Sequence, residues 1–120
     1  MQNYTWLLNH TEDYIESHLD QKITLSDVAA NIHMSEYHFH RLFRKHSKET
    51  LNQFVSRIKL ERSAIFLRVR KDISITDIAY RYGYNDASSY NRAFRRHFGV
   101  TPTVFRKEQD MPSNKDSSNI

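Results

Sequence analysis

Two stretches of this chain are copies of one another, and that repeat sets what it can fold into. Residues 23–55 read ITLSDVAANIHMSEYHFHRLFRKHSKETLNQFV, and residues 73–107 read ISITDIAYRYGYNDASSYNRAFRRHFGVTPTVFRK. Ile23, Asp27 and Ala29 match Ile73, Asp77 and Ala79. After one extra residue in the second copy, Phe43, Arg44, His46, Thr50 and Phe54 match Phe94, Arg95, His97, Thr101 and Phe105. A unit of about 35 residues built from short amphipathic pieces predicts a helical module used twice.

Each copy carries its own helix punctuation. Thr24 stands at an N-cap, and Asp27 three residues on can return a carboxylate to a free amide. Ile23 and Val28 flank the cap as a hydrophobic staple. Ser74, Asp77, Ile73 and Ile78 repeat these devices and predict equivalent short helices at 25–32 and 75–82. Gly83 supplies the left-handed backbone of a tight turn, and His33 holds the matching place. Ser35 and Asp86 then cap helices at 36–47 and 87–98. On these, Phe39, Leu42, Phe43 and His46, and Tyr90, Ala93, Phe94 and His97, occupy the predicted core faces. The opposite faces present Tyr37, His40, Arg41 and Arg44, and Ala87, Ser88, Asn91, Arg92 and Arg95. Two short helices with a tight turn and a polar, basic outer face on the second describe a helix-turn-helix.

The remaining elements support the pair. Residues 4–19 read as a scaffold helix with Leu7, Tyr14, Ile15, His18 and Leu19 inward, and Glu12, Asp13 and Glu16 outward. Residues 50–69 form the longest helix. Leu51, Phe54, Val55 and Ile58 serve the first copy. Leu60, Ala64, Ile65, Phe66, Leu67 and Val69 are apolar nearly all round, as expected of a helix gripped by the second copy. At 1.5 Å per residue this helix is roughly 28 Å long, against about 34 Å for one DNA turn. A short helix from Pro102 to Lys107 closes the chain's second half, with Pro102 at its first position. The fold class is all-α: two helix-turn-helix subdomains joined by a long linker helix, about seven helices. The divisions are 1–49, a linker at 50–69, 70–108, and a disordered tail at 109–120.

Charge sharpens the reading. The net charge of +4 divides into −5 over residues 1–40, +11 over 41–107 and −2 over 108–120. Basic charge concentrated on the repeats points to a polyanionic partner. Cysteine is absent, which excludes disulfides and thiolate chemistry. No apolar run approaches the length of a membrane span, so no membrane partner is expected. The N-terminus is too acidic for a signal peptide, and the location expected is cytoplasmic. No glycine-rich phosphate loop, nucleophile elbow or zinc-type His-Glu motif occurs, so no enzyme activity and no cofactor are expected. His38 and His40 face apart on a helix, and His46 and His97 read as packing residues, so no metal site is expected. Trp6 and the tyrosines read as core, with Tyr37 the exception.

The second copy resembles the signature of the AraC/XylS transcription regulators: Asp77-Ile78-Ala79, Gly83-Tyr84, Tyr90, Arg92, Phe94, His97-Phe98-Gly99, Thr101-Pro102 and Phe105-Arg106. Met34-Ser35, Phe39 and Arg41-Leu42-Phe43-Arg44 resemble that family's first helix-turn-helix. The resemblance spans residues 4–108. It implies a bacterial, sequence-specific regulator of transcription, an activator, that puts two recognition helices into adjacent major grooves of double-stranded DNA and contacts RNA polymerase. Base-reading positions fall on Tyr37, His40, Arg41, Ala87, Ser88, Asn91 and Arg92. Arg41 and Arg92 suit guanine O6 and N7. Ser35, Arg44, Lys45, Arg57, Ser89, Arg95 and Arg96 are the expected phosphate contacts. The small Ala87 and Ser88 stand where many relatives carry longer amides, which favours readout of shape there. His33 and Lys48 stand where glycine is usual. The length leaves no room for a small-molecule effector domain, so the chain resembles a stand-alone member or an excised C-terminal part. The alternative function is a non-specific, nucleoid-type nucleic-acid binder, which would use phosphate contacts alone.

Overall fold

The computed structural model describes residues 3–109, and every regular element among them is a helix. In chain order these are α1 (Tyr4–Ser17), α2 (Leu25–Asn31), α3 (Glu36–His46), α4 (Leu51–Val69), α5 (Ile75–Arg81), α6 (Ala87–Phe98) and α7 (Pro102–Gln109). The chain divides into two compact units, one up to Lys59 and one from Leu60, so the division falls inside α4. The tail expected at 109–120 lies outside the described residues except for Gln109, which ends α7.

In the first unit, the α2 cap is complete. The Asp27 N–H donates to Thr24 Oγ1 at 3.2 Å, and the Thr24 N–H donates to Asp27 Oδ2 at 3.0 Å. Ile23 and Val28 are both buried, as a staple requires. The turn into α3 is closed by the N–H groups of His33 and Met34, which donate to the carbonyls of Ala30 and Ala29 at 3.1 and 2.9 Å. This is the Schellman pattern, and it needs a left-handed residue. His33 takes that conformation with φ 59°. The core gathers Leu7, Ile15, Val28, Phe39, Phe43, Phe54 and Ile58. Thr11 lies among them, its hydroxyl donating to the Leu7 carbonyl at 2.8 Å. A threonine bonded to its own helix leaves no orphan polar group, so it substitutes for an apolar residue. On α1 the buried line is therefore Leu7, Thr11 and Ile15, while Tyr14, His18 and Leu19 are only partly covered. Lys59 is also buried. Its ammonium donates to the Gln21 carbonyl at 2.6 Å. Burial lowers its pKa, and Asp20 partly opposes that shift.

The second unit repeats the design with small differences. The Asp77 N–H donates to Ser74 Oγ at 3.0 Å, so the N-cap half of the box is made; the returning bond seen in α2 is not. The Gly83 and Tyr84 N–H groups donate to the Tyr80 and Ala79 carbonyls at 3.1 and 2.9 Å, with Gly83 at φ 87°. The two turns thus share one geometry, built on histidine in one copy and glycine in the other. The core contains Leu60, Ala64, Leu67, Ile78, Ala79, Tyr82, Tyr90 and Phe94. Arg106 reaches from α7 to the carbonyls of Leu67 and Arg70 at 3.3 and 3.0 Å and so satisfies the end of α4.

Several expected core residues are not core. His46 and His97 lie on the surface. His46 packs against the Tyr4 ring with centroids 4.9 Å apart, and His97 stands 3.9 Å from the Glu61 carboxylate. Each lies three residues beyond the second buried ring of its helix, at the margin of the core. Ile65 and Val69 on α4 are 54% and 70% exposed, because the second unit grips one side of that helix and not its whole circumference. Tyr80 joins Tyr37 as an exposed tyrosine.

Ser63, at 0% exposure, is the polar centre of the second unit. It donates to the Leu60 carbonyl at 2.8 Å and accepts from the Tyr90 hydroxyl at 2.7 Å. Removing either partner has unequal effects. Ser63→Ala leaves the buried phenol unsatisfied and should cost about 2 kcal/mol, whereas Tyr90→Phe leaves Ser63 bonded and should cost about 1 kcal/mol. Chemical denaturation of the two variants checks the order. Burial also pushes the Tyr90 phenol up. The folded state then keeps that proton longer than the unfolded chain does. Its contribution is whole below about pH 10 and falls as pH rises through the raised value. Tyr90→Phe should therefore flatten the alkaline limb of the stability profile. Tyr82, raised by burial as well, should account for part of what remains.

Candidate nucleic-acid interface

The geometry of each outward face follows from its buried one. On α3, Phe39 and Phe43 are 0% and 1% exposed, and their rings stack at 5.9 Å. On α6, Tyr90 and Phe94 are both fully buried with centroids 5.6 Å apart. Anchors at i and i+4 fix the helix about its axis, so the residues opposite them point away, while Leu42 packs beside the rings. Tyr37, His40, Arg41, Arg44 and Lys45 on α3 are all exposed, Tyr37 to 75%. On α6, Ser88, Arg92, Arg95 and Arg96 are exposed, and Ala87, Ser89 and Asn91 are partly so. The predicted base-reading residues of each helix therefore share that helix's accessible side.

Within α3 the residues divide. Arg41 and Lys45 line a shallow hollow of about 170 Å³ with His38 and Leu42. His40 lies instead on an open cleft of about 370 Å³ with Lys22, Ile23, Thr24, Leu25, Thr50, Leu51 and Asn52. Lys22 and Asn52 were not legible as neighbours of His40. Their only signal was that Lys22 is the one cation among the first 40 residues. Ser35 Oγ accepts the His38 N–H at 3.0 Å and so caps the helix. Both helices end in cationic turns, Arg44 and Lys45 on α3 and Arg95 and Arg96 on α6, which also suits the helix dipole.

The helix ends differ between the copies. Gly99 closes α6 with φ 85°. At the equivalent end of α3 the chain leaves through Ser47 in extended conformation, with φ −112°. Ser47 Oγ accepts the Glu49 N–H at 3.1 Å and donates to the Glu49 carbonyl at 3.2 Å. Lys48 therefore needs no left-handed backbone, and the missing glycine has no structural consequence. Thr50 and Gln53 then form a reciprocal capping box at the start of α4, at 2.9 and 3.1 Å.

Two predicted phosphate contacts have other partners. The Arg57 guanidinium forms a two-pronged pair with Glu49, Nε to Oε2 at 2.8 Å and Nη2 to Oε1 at 3.0 Å, and lies over the Phe54 ring. The carboxylate approaches it only because the chain turns between α3 and α4. Ser89 gives its N–H to Asp86 Oδ1 at 2.7 Å, and its Oγ accepts from Arg92 Nη2 at 3.4 Å. Asp86 is held below the usual carboxylate range, first by its bond from the Ser89 backbone and then by that residue's side chain. Among the described residues there is no cluster of three metal-ligating side chains, and no helix is long and apolar enough to cross a membrane.

Residues 28–108 match the model of a family described as a helix-turn-helix domain, of the AraC type. The chain belongs to the AraC/XylS family. It is 32% identical over 108 residues to the probable transcription factor PqrA of Proteus vulgaris, covering 88% of each chain. It is 31% identical over 97 residues to the transcriptional regulator Rob of Salmonella typhimurium, covering 81% of this chain and 33% of that one. The chain thus spans about a third of the length of regulators such as Rob. The fold is that of a crystallised DNA-binding transcriptional dual regulator from Escherichia coli K-12, with a TM-score of 0.82 at 20% identity over 92% of this chain and 95% of that one.

The Asp86 cap makes a pH prediction. Its folded pKa is depressed, so its contribution is present above the ordinary carboxylate range and lost as pH falls through the lowered value. Asp86→Asn should flatten the acid limb of the stability profile of the second unit. Thermal melts across acid pH, beside a carboxyl titration followed by NMR, check both parts.

Proposed function

We propose that this protein is a sequence-specific double-stranded DNA-binding transcription regulator that reads bases with α3 and α6. The observation that carries the reading is the matched pair of accessible faces. Each is fixed by two buried rings, each starts at a capped N-terminus behind the same turn, and each ends in two cations. A protein gripping phosphates alone has no need for two capped, equivalent helices with graded polar faces. Tyr37, His40 and Arg41 read bases from α3. Ala87, Ser88, Asn91 and Arg92 do so from α6. Arg41 and Arg92 each take a guanine through O6 and N7. Ala87 and Ser88 offer few bonds, so the first turn of α6 reads shape and the thymine methyl.

Ser35, Arg44, Lys45, Arg95 and Arg96 hold phosphates, which fixes the register. The cleft beside His40 adds Lys22 and Asn52 to the surface that faces the backbone. Arg57 serves by bracing Glu49 and the start of α4. The two helices enter adjacent major grooves, as the family resemblance implies. Activation of transcription through contact with RNA polymerase follows the family resemblance, and a cytoplasmic, nucleoid-associated location goes with it.

Binding to a site selected by the wild type separates these roles. Arg41→Ala and Arg92→Ala should each relax the preference at one guanine position by about 1–3 kcal/mol. Arg44→Ala and Arg95→Ala should weaken binding to every sequence alike and reduce the salt slope by about 0.9 each. Arg57→Ala should leave that slope nearly unchanged while lowering thermal stability. Uniform losses from Arg41→Ala and Arg92→Ala would refute base reading.

A further inference from the structure

The equivalent positions of the two reading helices, aligned by the repeat, differ around their arginines. On α3 the series is Ser35, His38, Arg41; on α6 it is Asp86, Ser89, Arg92. In the first, the cap bonds the His38 N–H, and the His38 ring shares an open hollow with Arg41. In the second, three groups connect in series along one side of the helix. The Asp86 carboxylate accepts the Ser89 N–H at 2.7 Å, and Ser89 Oγ accepts from Arg92 Nη2 at 3.4 Å. The carboxylate also acts on Arg92 through its charge. A bond of 3.4 Å is long, so it orients the guanidinium more than it secures it.

We infer that Ser89 is a positioning residue for Arg92, holding its guanidinium toward the first turn of α6 before DNA arrives, and is not a phosphate ligand. This rests on the reading of Arg92 as a base contact. An arginine side chain has many rotamers, and fixing one of them ahead of binding lowers the ordering cost of the complex. The saving applies only where Arg92 finds its correct base, so it appears as specificity. Ser89 is already engaged on each side: its amide and its hydroxyl both act on the Asp86 carboxylate, and its oxygen accepts from Arg92. Arg41 has no such tether. Its i−3 neighbour is an imidazole, which offers at most one acceptor nitrogen and becomes a donor when protonated.

The test is a double-mutant cycle on the full chain with a selected duplex and its single-base variants. The wild type, Ser89→Ala, Arg92→Ala and the double variant are compared, with Ser89→Thr as the rescue. Alanine keeps the amide that caps the helix, so the thermal midpoint of Ser89→Ala should match the wild type and exclude a merely structural effect. Ser89→Ala should relax the preference at the Arg92 position about 5-fold and leave other positions and the salt slope unchanged. The double variant should be no worse than Arg92→Ala alone, and Ser89→Thr should restore the preference. Equal weakening on every duplex, or a Ser89→Ala loss that adds in full to that of Arg92→Ala, would overturn the inference and make Ser89 a direct DNA contact. If Arg92→Ala itself moves no base preference, the inference falls together with the base role of Arg92. That outcome is separable, because it appears in the single Arg92 variant.

Discussion

Two buried rings one helical turn apart hold each of α3 and α6, and the rest of the structure depends on them. Phe39 and Phe43 do this in the first unit, Tyr90 and Phe94 in the second. Phe43 meets Phe54 of α4 edge to face with centroids 5.7 Å apart, and Phe94 meets Phe105 of α7 in the same way at 5.4 Å. Such pairs contribute about 0.5–1.5 kcal/mol beyond the area they bury. Their larger effect is geometric. A helix pinned at i and i+4 cannot rotate, so the cationic and polar side chains between the anchors are presented on a fixed face. Packing in the core thus becomes placement at the surface.

The copies solve the same problem with different residues, and the differences fall where local chemistry can absorb them. A left-handed turn residue can be glycine or histidine, because the Schellman bonds, not the side chain, close the turn. The end of α6 uses Gly99, whereas α3 leaves in extended form through a serine that bonds its own neighbour. The outward faces diverge more. One presents Tyr37 and His40 before its arginine; the other presents small residues and tethers its arginine to Ser89. The proposed reading of bases by both helices accounts for variation at those positions, since unlike faces suit unlike base sequences.

Most of the fold was legible because its signals are local. Thr24 with Asp27, Ser74 with Asp77, and the caps Ser35 and Asp86 lie within three residues of the groups they bond. The i, i+4 aromatic pairs gave the facing of both α3 and α6. What was not legible depended on depth or on distant partners. Helical periodicity placed His46 and His97 on the side of their helices that carries the rings, but could not tell that each meets its neighbour, Tyr4 or Glu61, at the surface. Ile65 and Val69 are apolar and exposed, since an apolar side chain is not obliged to be buried. Ser63 is buried and accepts from Tyr90, a partner 27 residues away. Arg57 reads as an available cation until the turn before α4 brings Glu49 against it. The candidate site was legible as a list of outward residues. It was not legible as a pattern of partners, which distinguishes Arg92 from Arg41 and Ser89 from Ser35.

Selection of binding sites from a random duplex pool at near-physiological salt tests the central claim most directly. Two matched but unlike reading helices predict enrichment of two short, dissimilar boxes about one helical turn apart, each with a guanine at its best-defined position. A pool that does not enrich, with binding that merely fades as salt rises, would contradict the account and assign the protein to non-specific phosphate contacts.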